Sequence, residues 1–330
     1  MRSLLASRQL ILDSYRQLSS VSHRSQLLNS EVRKKRNDLF EKELIRQREL
    51  VPRVEKITVE CYDPMKEKNV QLRLDKGLST PFNAAQHIHV SLIERSALAT
   101  VNDQLWDMNR PLEEDSIVKF IHFQQPEDPY HLNKAFWRSC SFMLGVTLEN
   151  LFQDNYFIEL HSFPAPNVQS GSFVYDADLK FLDWTPSKEE LMSFGAYMHR
   201  LSEKELPFER LTVDTSVAQR IFEDNQYKSK QIPSIAANSK SGNSVTLYRL
   251  GEHVDISGGP MVGNSGFLGR RCSIMAAHRI EHDNVEMYRF QGVALPKGIF
   301  LDHHAFGLLE KRASKLNAAN MSSFKSVPPS

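Results

Sequence analysis

The chain has 330 residues, enough for two or three domains that each bury a core. Its formal net charge of +1 argues against binding nucleic acid by overall charge, so any such binding needs local basic patches. The sequence has no apolar run long enough to span a bilayer, which argues against an integral membrane protein. Three widely spaced cysteines favour a reducing compartment over a disulfide framework or a Cys-x-x-Cys zinc site.

Residues 1–30 have the composition of a mitochondrial transit peptide. They contain four arginines, many serines and a single acidic residue, Asp13. Their leucines and isoleucine can form one apolar helix face opposite the arginines, as such peptides require. A basic N-terminus with no targeting role is the alternative interpretation. The composition therefore predicts import into the mitochondrial matrix.

Residues 31–55 form a strongly charged segment in which the pattern predicts a helix from Glu31 to Leu50, ended by Pro52. Its apolar positions are few, so we expect it to dock by a narrow stripe. Basic residues recur along it, and RNA phosphate is a natural ligand for such a run, although a solvated helix face is the alternative. The candidate RNA contacts are Arg33, Lys34, Lys35, Arg36, Arg46 and Arg48.

In residues 56–123 apolar and polar residues begin to alternate with a period of two. Ile57, Val59 and Cys61 alternate with polar residues, and a second alternating run follows the turn at Asp63-Pro64, which predicts a β-hairpin. A helix is predicted over Phe82–Arg95, and two further extended segments follow it. The order β-β-α-β-β predicts a small α+β module with a helix across a sheet. Residues 124–131 are interpreted as a linker.

Residues 132–316 alternate helical and extended patterns, which predicts a second, larger α/β domain. Residues 317–330 are polar and are expected to be a disordered tail. The predicted helices cover residues 132–152, 186–205, 213–224 and 303–316. The predicted strands cover residues 157–161, 172–178 and 245–250, together with a hairpin formed by 273–280 and 285–291.

The order of the segments resembles the N-terminal half of threonyl-tRNA synthetase, and short stretches in the larger domain carry the match. They are residues 138–145, 171–179, 198–201, 227–228, 247–248 and 254–255. By this resemblance residues 56–123 are a TGS module, which is a β-grasp fold. Residues 132–316 resemble the editing domain, which in bacterial-type enzymes hydrolyses serine mis-attached to threonine tRNA.

The family's editing pocket uses His-x-x-x-His on a helix and Cys-x-x-x-His on a later segment. The resemblance places the first pair at Arg138 and Phe142 and the second at Ser257 and Met261. Arginine stays protonated, phenylalanine has no polar atom, serine is a poor ligand, and a thioether is not a general base. We therefore expect a degenerate site with no catalytic residue, no metal and no cofactor. The sequence also ends where the aminoacylation core would begin, so we expect no amino-acid activation.

A chain that keeps the N-terminal half of threonyl-tRNA synthetase, lacks its aminoacylation core and carries a transit peptide resembles a family of mitochondrial large-subunit ribosomal proteins. The resemblance implies a non-catalytic structural constituent of the large mitoribosomal subunit that binds its rRNA and neighbouring ribosomal proteins. It implies no membrane contact and no small-molecule substrate. The alternatives are a tRNA-editing hydrolase and a free tRNA- or RNA-binding regulator derived from threonyl-tRNA synthetase.

The stretch His278-Arg279-Ile280-Glu281-His282 matches the H-x-x-E-H pattern of inverted zincins. That chemistry needs a helix to bring both histidines onto one face. Because the flanking residues alternate as strands around a turn, the sequence predicts that the two histidines do not share a metal.

Overall fold

A computed structural model describes residues 27–51, 53–124, 129–180, 184–282, 285–318 and 324–326. Most of the predicted transit peptide, part of the predicted linker, the turn at 283–284 and most of the predicted tail lie outside the described residues. Among the described residues no helix combines the length and the apolar character that crossing a bilayer demands.

The first helix, α1 (Asn29–Glu49), packs by one narrow stripe, as the sequence predicts. After Asn29 at its start, its buried members are Val32, Arg36, Phe40 and Glu43. They are spaced by three or four residues, which places them on one helix face. Arg36 and Glu43 are charged, so the positions of the apolar residues in the sequence do not by themselves show this buried face.

A five-stranded sheet with two short helices follows, and it confirms the predicted small α+β module. The strands lie in the order β2-β1-β5-β3-β4, with β1 parallel to β5 and the other neighbours antiparallel. Its elements are β1 (Lys56–Asp63), β2 (Lys68–Asp75), α2 (Pro81–Ile88), α3 (Val90–Arg95), β3 (Leu98–Val101), β4 (Gln104–Trp106) and β5 (Ser116–Ile121).

The helix predicted over Phe82–Arg95 is two helices, because His89 between α2 and α3 has an extended backbone. The His89 imidazole accepts a hydrogen bond from the Ser91 amide at 3.1 Å and so caps the second helix. A side-chain cap of this kind satisfies an amide that has no partner in the first turn.

The larger domain contains a five-stranded and a three-stranded sheet, in the orders β13-β11-β12-β7-β6 and β10-β9-β8. Its helices are α4 (Pro129–Leu151), α5 (Lys188–Glu203), α6 (Thr215–Ile221), α7 (Gln226–Ala237) and α8 (His303–Ala313). Its strands are β6 (Glu159–Ser162), β7 (Phe173–Asp178), β8 (Glu209–Asp214), β9 (Ser244–Leu250), β10 (His253–Ile256), β11 (Leu268–His282), β12 (Val285–Pro296) and β13 (Phe324–Ser326).

The described residues contain three main cores. One lies inside the small module, and the largest lies between α4, α5 and the five-stranded sheet. The third joins α1 to α6, α7 and the three-stranded sheet, with the Phe40 ring fully buried at its centre. Helix α1 is therefore part of the larger domain, although the small module separates the two in sequence.

The prediction of a helix over Val213–Asp224 is wrong for its first two residues. Val213 and Asp214 end strand β8, where they pair with Val245 and Ser244 of β9. Burial of Val213 in the sheet decides its conformation, since a β-branched side chain packs well on a pleated surface. Helix α7 and strand β10 were not predicted as elements.

The predicted boundaries at both ends of the larger domain also move. Residues 129–131 belong to α4 and not to the linker. Asn317 belongs to the predicted disordered tail, but it is buried. Its backbone N–H donates to Gln291 Oε1 at 3.0 Å. Strand β13 pairs with the end of β11. The folded domain thus continues past residue 316.

Truncation of Phe40 tests whether α1 is part of the body of the protein. Phe40→Ala removes a fully buried ring, so we expect a loss of about 3–5 kcal/mol in the free energy of unfolding, measured with urea. Ile45→Ala on the same helix is the control, since Ile45 is 46% exposed and should change the value by less than about 0.5 kcal/mol. Equal losses in the two variants would contradict the packing of α1 described above.

Candidate functional site

The four degenerate positions lie on α4 and on the loop that follows β10. Arg138 and Phe142 are one turn apart on α4, and Ser257 and Met261 belong to the loop. The Arg138 guanidinium donates to the Pro260 carbonyl at 3.0 Å, which joins helix and loop. The structure therefore brings the two predicted pairs to one place.

The side chains of Phe142 and Met261 fill this place. Both are almost completely buried, and the Met261 sulfur lies 3.6 Å from Ser139 Oγ. The Phe142 ring meets four other aromatic rings in T-shaped contacts, which are favourable geometries for such rings. Its neighbours, at centroid distances of 5.0 to 6.5 Å, are His253, Phe208, Phe163 and Tyr248.

A crevice of about 10 Å³ lies elsewhere on α4, between Trp137, Ser141 and the segment 164–167. A volume of this size holds about one water molecule. None of the four degenerate positions lines it, so it is separate from the place that Phe142 and Met261 fill.

The small module covers the loop through Asp107. One oxygen of this buried carboxylate accepts from Tyr248 Oη at 2.7 Å and from the Met261 amide at 2.8 Å. Burial raises the pKa of Asp107 despite these two bonds. Asn109 adds a bond from its amide to the Gly263 carbonyl at 2.7 Å. The loop is thus held against the module by buried hydrogen bonds.

Helix α1 reaches the same region from the other side through Arg36. Its guanidinium binds Glu149 Oε1 of α4 at 3.0 Å and also pairs with Asp224. The second oxygen of Glu149 lies 2.5 Å from His253 Nδ1, and the His253 ring packs on Phe142. Burial alone raises the pKa of Glu149, but the charges of His253 and Arg36 outweigh it and hold the pKa at about 2.

A second buried ion pair joins Lys228 of α7 to Asp255 of β10. The Tyr175 hydroxyl donates to the other oxygen of Asp255 and lies 3.3 Å from Lys228 Nζ. Burial raises the pKa of Tyr175 well above its usual value, so its hydroxyl stays protonated. The lysine charge is neutralised by the carboxylate, and all three side chains are fully enclosed.

The sequence contains signals for some of these residues but not for others. Tyr175, Lys228 and Asp255 lie in the stretches that carry the resemblance to threonyl-tRNA synthetase, although sequence reasoning gave them no role. Glu149 and Asp107 had no such signal, because their partners are remote in sequence. Only the fold shows where Glu149 and Asp107 lie.

The cysteines and the H-x-x-E-H stretch supply no reactive group here. Burial raises the pKa of the Cys140 thiol and raises that of Cys272 to about 12, so neither is a thiolate near neutral pH. His278 and His282 both lie on strand β11, where residues four apart are separated by about 13 Å. Within the described ranges no three His, Cys, Asp or Glu side chains are placed to hold a metal ion.

The structure separates the six candidate RNA contacts. Arg33 donates to the Glu149 carbonyl at 2.5 Å, Lys35 binds Glu223 at 2.6 Å, and Arg46 binds Glu43 at 2.6 Å. Lys34 and Arg48 are exposed.

Arg36 is only 3% exposed, which corrects its assignment as an RNA contact. The helical period places Arg36 on the face of α1 that packs against the protein. There the carboxylates of Glu149 and Asp224 neutralise it. The sequence run alone does not show which of its cations face solvent.

Comparison with known proteins agrees with this architecture. Residues 64–122 match the TGS domain family. The Large ribosomal subunit protein mL39 of Drosophila melanogaster is 47% identical over 290 residues, covering 87% of this chain and 85% of that protein. The chain belongs to the mL39 family. This match and the TGS match confirm the family and the fold predicted from the sequence.

Threonine–tRNA ligases are more distant relatives of the same chain. The enzyme of Thermotoga maritima is 29% identical over 70% of this chain, and human threonine–tRNA ligase 2, cytoplasmic, is 27% identical over 66%. The chain spans 33% of the first enzyme's length and 25% of the second's.

Removal of Arg36 tests the buried ion-pair network. Arg36→Met leaves Glu149 and Asp224 without their shared partner, and breaking a buried pair in this way costs about 3–5 kcal/mol. Lys297→Met is the control, because Lys297 pairs with Glu205 at 3.2 Å, both side chains are more than half exposed, and such a pair is worth at most about 1 kcal/mol. We expect urea unfolding to separate the two variants clearly. If Arg36→Met costs no more than Lys297→Met, the network does not stabilise the fold.

Proposed function

We propose that this chain is a non-catalytic structural constituent of the large subunit of the mitochondrial ribosome. The observation that carries the proposal is the 47% identity to Large ribosomal subunit protein mL39, which extends over 85% of that protein. A match of 290 residues in a chain of 330 extends into both domains, and not over the TGS module alone. The arginine-rich composition of residues 1–30 supports a location in the mitochondrial matrix.

The absence of catalysis is supported by the state of the degenerate pocket. Hydrolysis needs a group that activates water and room for the substrate next to it. Here Phe142 and Met261 occupy the space, and Arg138 is bound to a backbone carbonyl. The charged side chains around them are engaged as well. Glu149 pairs with His253 and Lys228 with Asp255, and the Asp107 carboxylate accepts from Tyr248 and from the Met261 amide.

The partners that fit this role are large-subunit rRNA and neighbouring ribosomal proteins. Exposed cations on α1, such as Lys34 and Arg48, lie where they can contact phosphate. Exposed apolar side chains such as Phe300, which is 86% exposed, lie where a protein neighbour can cover them.

Sedimentation of mitochondrial lysate tests the proposal. A tagged full-length chain expressed in cells should migrate with the large subunit in a sucrose gradient, and it should remain there at high salt. A structural constituent is held by many contacts at once, whereas a protein that visits through phosphate contacts dissociates as salt rises. A known salt-removable factor, followed in the same gradients, is the control.

Two results would count against the proposal. Migration at the top of the gradient at every salt concentration would place the chain outside the ribosome. Release at high salt together with the control factor would favour a free RNA-binding regulator.

A further inference from the structure

A groove runs between α1 and α6 on the surface of the larger domain. Its volume is about 170 Å³. Its apolar lining consists of Leu39, Val217 and Ile221. Its charged lining consists of Lys42, Glu43, Arg46 and Arg220. The groove thus combines an apolar floor with a rim that carries three cations and one acid.

The acid in this groove is already neutralised. The Glu43 carboxylate accepts from Arg46 Nη2 at 2.6 Å and from Gln47 Nε2 at 2.9 Å. Its side chain is only 8% exposed, and the hydrogen bond from Arg46 lowers its pKa, so it is ionised and paired. The cations of the groove that form no salt bridge are therefore Lys42 and Arg220, although the charge of Arg220 also helps to lower the pKa of Glu43.

These two cations differ from the basic run at the start of α1. Lys42 and Arg220 are both exposed, and neither has a carboxylate within 4.0 Å in the part of the chain that the structure describes. Lys35 and Arg36, by contrast, are held by acids near the end of α6. The available positive charge of the groove is thus on Lys42 of α1 and Arg220 of α6.

We propose that this groove is an RNA-binding site of the chain, with phosphates on Lys42 and Arg220 and a nucleobase against the apolar floor. The assignment rests on the proposed ribosomal function and names the surface through which it operates. Charge complementarity favours RNA, because two unmatched cations flank the floor and RNA supplies phosphates and an apolar base face together. Arg46 stays with Glu43 and forms the wall of the site.

Fluorescence anisotropy with a labelled single-stranded oligouridylate and a labelled RNA hairpin tests the proposal on the purified full-length chain. The variant Lys42→Gln/Arg220→Gln should weaken the binding of both probes by about tenfold at low salt. It should also reduce the slope of log Kd against log salt by about 1.4 for the single strand, since each phosphate contact contributes about 0.7.

The matched control is Lys188→Gln/Lys204→Gln. It removes the same charge from exposed positions at the two ends of α5, outside the lining of the groove. An equal loss of affinity in the two double variants would show that only overall charge is measured, and this would overturn the proposal. Retention of the Arg46–Glu43 pair in both variants keeps the fold intact, and circular dichroism checks this.

A photoreactive leucine analogue at position 39, in the apolar lining of the groove, keeps both cations and identifies the partner inside the ribosome. After irradiation of intact mitochondria, a crosslink to large-subunit rRNA supports the site, and a crosslink to a protein overturns it. Co-sedimentation with the large subunit combined with a protein crosslink leaves the ribosomal function standing while the groove assignment fails. Loss of co-sedimentation by the unmodified chain would instead remove the ribosomal function itself.

Discussion

One buried guanidinium determines much of this fold. Arg36 on α1 binds Glu149 on α4 and Asp224 after α6, and Glu149 in turn binds His253 on β10. Removing charges from water is costly unless each one finds its partner, so these four segments are stable only when they are assembled together. The network makes the N-terminal helix part of the larger domain. It also fixes the histidine on which Phe142 packs.

The region around Phe142 keeps the elements that would surround a pocket, but side chains of the hydrophobic core fill it. The helix, the loop and the strand that surround it are all in place, and buried polar contacts hold them from two directions. Arg36 acts through Glu149 on one side, and Asp107 of the small module binds Tyr248 and the Met261 amide on the other. Aromatic contacts occupy the space between. A region built in this way stabilises the contact between domains, which is a sufficient physical reason for its retention.

The sequence predicted the elements whose periodicity is strong and local, such as α1, the first β-hairpin and α4. It was wrong where tertiary pairing overrides a local pattern, as at Val213, which joins a sheet instead of a helix. It placed the four degenerate positions on two segments but could not show that their replacements fill the space. The burial of Arg36 was also hidden, because its acidic partners are 113 and 188 residues away.

We propose that the degenerate pocket does not catalyse hydrolysis. The most direct test of this proposal is to incubate the purified full-length chain with threonine tRNA charged with radiolabelled serine, and to measure the release of serine beside an active editing domain. We expect release at the rate seen without protein, for the native chain and for Lys228→Met alike. Release that is faster than this background, and that Lys228→Met abolishes, would contradict it.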